Sequence, residues 1–213
     1  MRQAGIAGAV AAVAPASVLA RQGRSPQGDP LESLTVTEAA IVDAVVARLI
    51  PTDEHGPGAR EAGAARYIDR ALGGALASSR EAYRTGLAAL DAHARNTRGR
   101  AFAALSERDQ DAVLSDLEGD AAPGFTPSSG AFFNLLRTHT LQGTFGDPYY
   151  GGNANFVGWD LLAYPGLRLA VSADDQRLDA KLIPVRASAY DFGMFSPRPP
   201  RARFMRLIRH HGD

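Results

Sequence analysis

The chain has 213 residues, 45% of them hydrophobic and 22% charged, and 23 basic side chains balance 23 acidic ones. That is the composition of a globular domain, and the missing positive surplus argues against a nucleic-acid binder. There is no cysteine, so disulfides, cysteine-ligated iron–sulfur clusters, thiolate zinc sites, covalent c-type haem and a cysteine nucleophile are all excluded in this chain.

Residues 4–19, AGIAGAVAAVAPASVL, are free of charge, follow Arg2 and lead into Val18-Leu19-Ala20, a small-residue pattern suited to cleavage. As a helix, 16 residues would span about 24 Å, short of the roughly 30 Å hydrocarbon core. Residues 1–20 are therefore expected to be an export signal rather than an anchor. The run is built from Ala and Gly, as in twin-arginine signals, although the arginine pair is absent. Residues 21–33 are polar and rich in Gly and Pro and read as a linker.

The helical part follows. Thr35 and Glu38 form a capping-box signature, after which Ile41, Val42, Val45, Val46, Leu49 and Ile50 share one stripe until Pro51 stops the helix. Ile68, Leu72 and Leu76 make a second stripe, and Tyr83, Leu87, Leu90 and Ala94 a third. Ser106 is placed to cap a helix carrying Val113, Leu114 and Leu117. Ser128 or Ser129 can cap one carrying Phe132, Phe133, Leu135, Leu136 and Leu141. No alternation of period two persists. The expected fold is mainly α: an irregular helical bundle with a second half rich in Gly, Pro and aromatics, and an extended C-terminal arm. Within the second half, short helical stretches are expected near residues 156–162 and 174–183. Over residues 197–213 five arginines face one acid, and Phe204, Leu207 and Ile208 fall at helical spacing, which allows a short basic helix.

Residues 143–166, GTFGDPYYGGNANFVGWDLLAYPG, combine turn-forming Asp147-Pro148, Gly151-Gly152 and Asn153 with six large aromatics. Four of these rings, Tyr149, Tyr150, Phe156 and Trp159, would expose about 600–1,000 Å² if left in water, more than a soluble monomer normally shows. Something has to cover them: the protein's own helices, especially the Phe132/Phe133 face, a protein partner, or a stacked sugar.

Catalytic signatures are sparse. There is no G-x-G-x-x-G, Walker loop, G-x-S-x-G or H-E-x-x-H motif. Asp53, Glu54 and His55 are adjacent and diverge, so they read as a polar turn rather than a metal site. His139 falls on the apolar side of its helix and reads as a hydrogen-bonded core or interface histidine rather than a general base. His210 and His211 read as solvated, and Asp147 and Asp160 as caps of a turn or helix.

Two blocks, LTVTEAAIVDAVVARLIPTDEHGPGAREAG and FFNLLRTHTLQGTFGDPYYGGNANFVGWDLLAYPG, resemble the gluconate 2-dehydrogenase subunit 3 family, the small subunit of membrane-associated FAD-dependent sugar and polyol dehydrogenases. The resemblance spans residues 34–166, which it marks as the accessory-subunit domain; residues 167–213 form the arm. It implies a non-catalytic subunit that holds no cofactor. In such complexes FAD sits in a large catalytic subunit, and a multihaem cytochrome c commonly takes the electrons. The small subunit assists maturation, export and stability of the flavin subunit, in the periplasm, and reaches the membrane only through its partners. On this reading the candidate partner-binding residues are Tyr149, Tyr150, Gly151, Gly152, Asn153, Phe156, Trp159, Pro165 and Gly166, together with the Pro-rich arm. The alternative is an independent periplasmic sugar-binding protein or enzyme using residues 149–159 as a stacking surface.

Overall fold

A threonine followed three residues later by glutamate can satisfy two orphan amides at a helix start, and in the computed structural model, which describes residues 30–195, both bonds form. The Glu38 amide donates to Thr35 Oγ1 at 3.3 Å and the Thr35 amide to Glu38 Oε2 at 2.8 Å. They open α1, Val36–Leu49, which buries Ile41, Val42, Val45 and Val46 and ends at Ile50 ahead of Pro51. Leu49 and Ile50 pack at the edge of the core.

Helix α2, Ala64–Leu72, buries Ile68 and Leu72. Gly73 and Gly74 then break the stripe, so Leu76 lies beyond the helix and is only partly buried. Helix α3, Arg80–Arg98, buries Tyr83, Leu87, Leu90 and Ala94 as its spacing requires. Ser106 Oγ accepts from the Asp109 amide to start α4, Glu107–Glu118. Ser128, rather than Ser129, caps α5, Ser129–Phe145. Phe132, Phe133 and Leu136 are buried, whereas Leu141 is 40% exposed and faces away from the core.

Helix α5 is the hub: it packs against α1, α2, α3 and α4, and α1 closes the bundle by touching α2, α3 and α4. Before α1, the carboxylate of Asp69, 1% exposed, receives the amides of Glu32, Ser33 and Leu34 at 2.9 Å each and Arg66 Nη1 at 2.7 Å. The chain entering α1 is thereby pinned to α2.

Beyond α5 regular structure thins to one short helix, α6, Val157–Leu161, and 3-10 turns at Pro148–Tyr150, Ala154–Phe156 and Ala189–Asp191. The helix expected over residues 174–183 does not form; the chain makes turns over 173–179 and then runs on without regular structure. Its apolar positions find nothing to pack on: Leu178 is fully exposed and Ile183 is 80% exposed. A helix of ten residues needs such packing to persist in water. No strand occurs among the described residues, and no described helix is long and apolar enough to cross a membrane. The signal-like segment, most of the linker, the basic tail and the His210–His211 pair lie outside the described residues.

Candidate functional site: the aromatic and glycine segment at the end of α5

The segment after α5 folds back on the helix that precedes it, and small residues make that return possible. A Cβ on Gly152 would lie 2.1 Å from the Gly143 carbonyl oxygen, and one on Gly158 would lie 1.9 Å from the Thr144 oxygen. Glycine is required at both positions because the contact is backbone on backbone. Asn153, buried and left-handed at φ 44°, ties the return together. Its amide donates to Gly143 O at 2.7 Å, its Nδ2 donates to Gly146 O at 2.9 Å, and its Oδ1 accepts from the Gly158 amide at 2.8 Å. Asparagine suits this position because a short amide side chain tolerates the left-handed region and can bond locally. The Ala154 amide, donating to Ala62 O at 2.8 Å, joins the segment to the turn before α2.

Trp159 is 7% exposed, and its indole N–H donates to Phe145 O at 3.0 Å. It therefore caps the end of α5, with the rings of Phe156 at 5.4 Å and Tyr164 at 5.0 Å on it. The covering surface is this helix end and not the Phe132/Phe133 face: Phe132 is spent on Tyr83 and Phe125, at centroid distances of 6.1 and 5.7 Å.

Of the nine residues singled out in sequence, Gly152, Asn153, Trp159 and Gly166 are buried within the chain, Gly151, Phe156 and Pro165 are half-buried, and Tyr149 and Tyr150 are exposed at 46% and 65%. The set thus divides into a scaffold and a displayed pair. The tyrosine rings stand perpendicular, 5.2 Å apart, so they do not form a flat stacking platform.

Asp147 does more than its local sequence suggests. It accepts from the Tyr149 amide at 2.8 Å, as a turn cap should, but also from the Ser188 hydroxyl and the Ala189 amide, about forty residues away. Two further bonds fasten the arm: the Val185 amide donates to Pro165 O at 2.8 Å, and Arg186 Nη2 donates to Asp160 Oδ2 at 2.6 Å. Asp160 thus serves as an ion-pair partner inside α6 rather than as a cap. Ser188, Val185 and Arg186 are neighbours of the segment that periodicity could not identify, because only the return of the chain brings them here.

The surface built in this way is unusual in two respects. Of sixteen exposed large hydrophobic side chains among the described residues, thirteen lie within residues 149–195, including Leu162, Leu169, Leu178, Ile183 and Met194. Of five non-glycine residues with positive φ among the described residues, four lie within 153–163: Asn153, Asn155, Phe156 and Ala163. Strained backbone of this kind concentrates at functional sites, and exposed apolar surface marks interaction sites where it forms a contiguous patch.

Elsewhere, Asp53, Glu54 and His55 make a tight exposed turn in which the His55 amide donates to Asp53 Oδ1 at 2.8 Å. No group of three His, Cys, Asp or Glu side chains among the described residues is placed to hold a metal ion. His139 is buried, with Nδ1 3.0 Å from the Tyr83 hydroxyl. Burial pushes the Tyr83 phenol well up and the His139 imidazolium down. A phenol that keeps its proton donates to Nδ1, which leaves the imidazole proton on Nε2. The pair joins α3 to α5 inside the core.

Among known proteins, no curated sequence and no solved structure matches the chain. A family model, described as gluconate 2-dehydrogenase subunit 3, matches residues 36–166. The match begins with the first residue of α1, takes in the helical bundle and the whole aromatic segment, and stops where the arm begins. The chain belongs to the gluconate 2-dehydrogenase subunit 3 family.

Proposed function

We propose that this chain is the non-catalytic small subunit of a gluconate 2-dehydrogenase-like complex, and that it binds, matures and stabilises an FAD-dependent catalytic subunit acting on a sugar or polyol. Family membership makes it a subunit of a dehydrogenase complex of this kind. The single observation that supports an interface role is the concentration of exposed large apolar side chains on residues 149–195, displayed from an end of α5 held by backbone-to-backbone contact. A stable heteromeric interface needs about 800 Å² per partner, and a surface of this character is what it would cover. The candidate docking residues are Tyr149 and Tyr150 with the adjoining arm, over a scaffold of Gly152, Asn153 and Trp159. The chain itself supplies no flavin or haem chemistry on this reading; FAD belongs to the partner, and a cytochrome c subunit would receive its electrons.

Export fits the same role. A flavoprotein that acquires FAD in the cytoplasm must cross the membrane folded, so a bound partner with a signal can carry both to the periplasm. Residues 1–20 are the candidate signal. The test is deletion of this chain in cells that produce the catalytic subunit, followed by measurement of flavin content and dehydrogenase activity in the periplasmic and membrane fractions. The proposal expects both to collapse and to return when the chain is resupplied. Full activity at the normal location without the chain would overturn it.

A further inference from the structure

The displayed surface contains a depression beside Asp147. A cavity of about 300 Å³ opens where the end of α5, α6 and the start of the arm meet, lined by Phe145, Asp147, Trp159, Leu162, Tyr164 and Leu167. The lining comprises three rings, two leucines and one carboxylate, with no cation. Its volume is at the small end for ligand sites and suits one long side chain.

The carboxylate decides the chemistry of the occupant. Asp147 is half-buried, and its partners, the Tyr149 amide, the Ser188 hydroxyl and the Ala189 amide, are all neutral donors. No cation pairs with it among the described residues, whereas the nearby Asp160 is paired with Arg186. Neutral donors orient a carboxylate but leave its full charge in place, and the apolar walls keep part of the solvent away. A cation on an apolar stem complements such a site. Arginine fits better than lysine: its guanidinium is planar and weakly hydrated, pairs with a carboxylate and lies against aromatic rings. Tyr164, 43% exposed and set at 70° to Trp159, supplies an accessible ring beside the carboxylate.

We infer that the Asp147 pocket is an arginine socket, which receives an arginine side chain from the catalytic subunit as an anchor of the interface. The identity of the bearer rests on the function proposed above; the chemistry of the socket does not. Arginine is over-represented among the few residues that dominate interface energetics, and such residues act where the partner's closure removes water around them.

Trp159 is the only tryptophan in the chain, so its fluorescence reports on the socket directly. The full chain is titrated with N-acetyl-arginine amide and, separately, with N-acetyl-leucine amide. The expected result is a saturable change with the arginine probe and binding at least about tenfold weaker with the leucine probe. Asp147→Asn keeps an oxygen for the Tyr149 and Ala189 amides but removes the charge, and should weaken the arginine probe on the order of tenfold. Tyr164→Leu leaves the Asp147 bonds untouched and should weaken the arginine probe while sparing the leucine probe. Equal binding of both probes, no saturation, or an unchanged response in both variants would overturn the socket. The chain's own arginines are the rival occupants: if Arg198→Gln, Arg201→Gln and Arg203→Gln together raise affinity for the probe, the tail fills the socket and the partner assignment falls. Co-purification separates the two levels of the argument. Failure of the wild-type chain to retain a flavin subunit sinks the proposed function while the probe data stand. Retention by Asp147→Asn as tight as by wild type sinks the anchor role while the function stands.

Discussion

Gly158→Ala is the substitution that best isolates the aromatic segment from the bundle beneath it. The added methyl would lie 1.9 Å from the Thr144 carbonyl oxygen, and ordinary contact begins near 3.4 Å, so the two backbones must separate by about 1.5 Å. Such a shift takes the Trp159 indole bond to Phe145 O, now 3.0 Å, beyond hydrogen-bond range, and strains the Gly158 amide bond to Asn153 Oδ1 at 2.8 Å. Two bonds at about 0.5–1.5 kcal/mol each, with the packing disturbed around Trp159, give a loss of about 2–4 kcal/mol in docking of the segment. The gain in helix propensity of Ala over Gly, about 1 kcal/mol, does not offset it. Urea unfolding is followed in parallel by Trp159 emission and by far-ultraviolet circular dichroism. The tryptophan transition should move to lower urea with a red-shifted folded baseline, while the helical transition moves little because α1–α5 close their core without α6. Gly74→Ala is the control, since nothing lies within 4 Å of its added methyl. A Gly158→Ala variant with both transitions within about 0.5 kcal/mol of wild type would refute the claim that close backbone approach holds the segment.

Three other perturbations test the scaffold. Asp69→Ala strips one buried acceptor from three amides and Arg66, and should cost about 3–5 kcal/mol, a fall in Tm of roughly 10 °C by circular dichroism, with new protease cleavage near Leu34. Gly86→Ala would place a methyl 2.3 Å from the Phe132 ring; overpacking of about 1–3 kcal/mol exceeds the gain in helix propensity, so the variant should be less stable, and a double-mutant cycle with Phe132→Leu should show partial rescue. His139 is held neutral, its pKa lowered from 6.5 by burial. The unfolded chain therefore takes up the proton first, and stability should fall as pH drops through about 6.5 and level off below the lowered folded value. His139→Gln should flatten that slope in urea titrations at successive pH values, and an unchanged slope would remove His139 as its source.

What could be read from the sequence depended on the distance over which each contact acts. Thr35, Ser106 and Ser128 bond to amides three residues on, so their helix starts are visible in a four-residue window. The stripe of Tyr83, Leu87, Leu90 and Ala94 is set by the helical repeat alone, and it is buried as read. Residues 174–183 read as helical too, yet form no helix, because a local pattern records which side could be buried and not whether anything is there to bury it. Gly152 and Asn153 are legible as turn formers, but their purpose, packing against the Gly143 backbone, depends on the chain reversing onto α5. That Trp159 needs cover follows from its ring area, but the surface that covers it, the end of α5, and the reach of Asp147 to Ser188 are products of tertiary return, for which the local sequence gives no sign.

The end of the family match at residue 166 does not mark the end of the surface. The three contacts that fasten the arm start from residues inside the match, Asp147, Asp160 and Pro165, and reach Ser188, Arg186 and Val185 outside it. The matched segment therefore has two tasks. It seals the end of α5 with Trp159 and Asn153, and it holds the neck of a long loop whose apolar side chains, Leu169, Leu178 and Ile183 among them, point into solvent. Ordering a loop of this length against water costs conformational entropy that its own contacts recover only at the neck. On the function proposed above, fixing the neck in advance would lower the entropy that remains to be lost when a partner closes over the loop. Weakening the neck without touching the loop should then slow association more than it lowers the stability of the bundle, and Asp160→Asn, which breaks only the Arg186 pair, is the variant that separates the two.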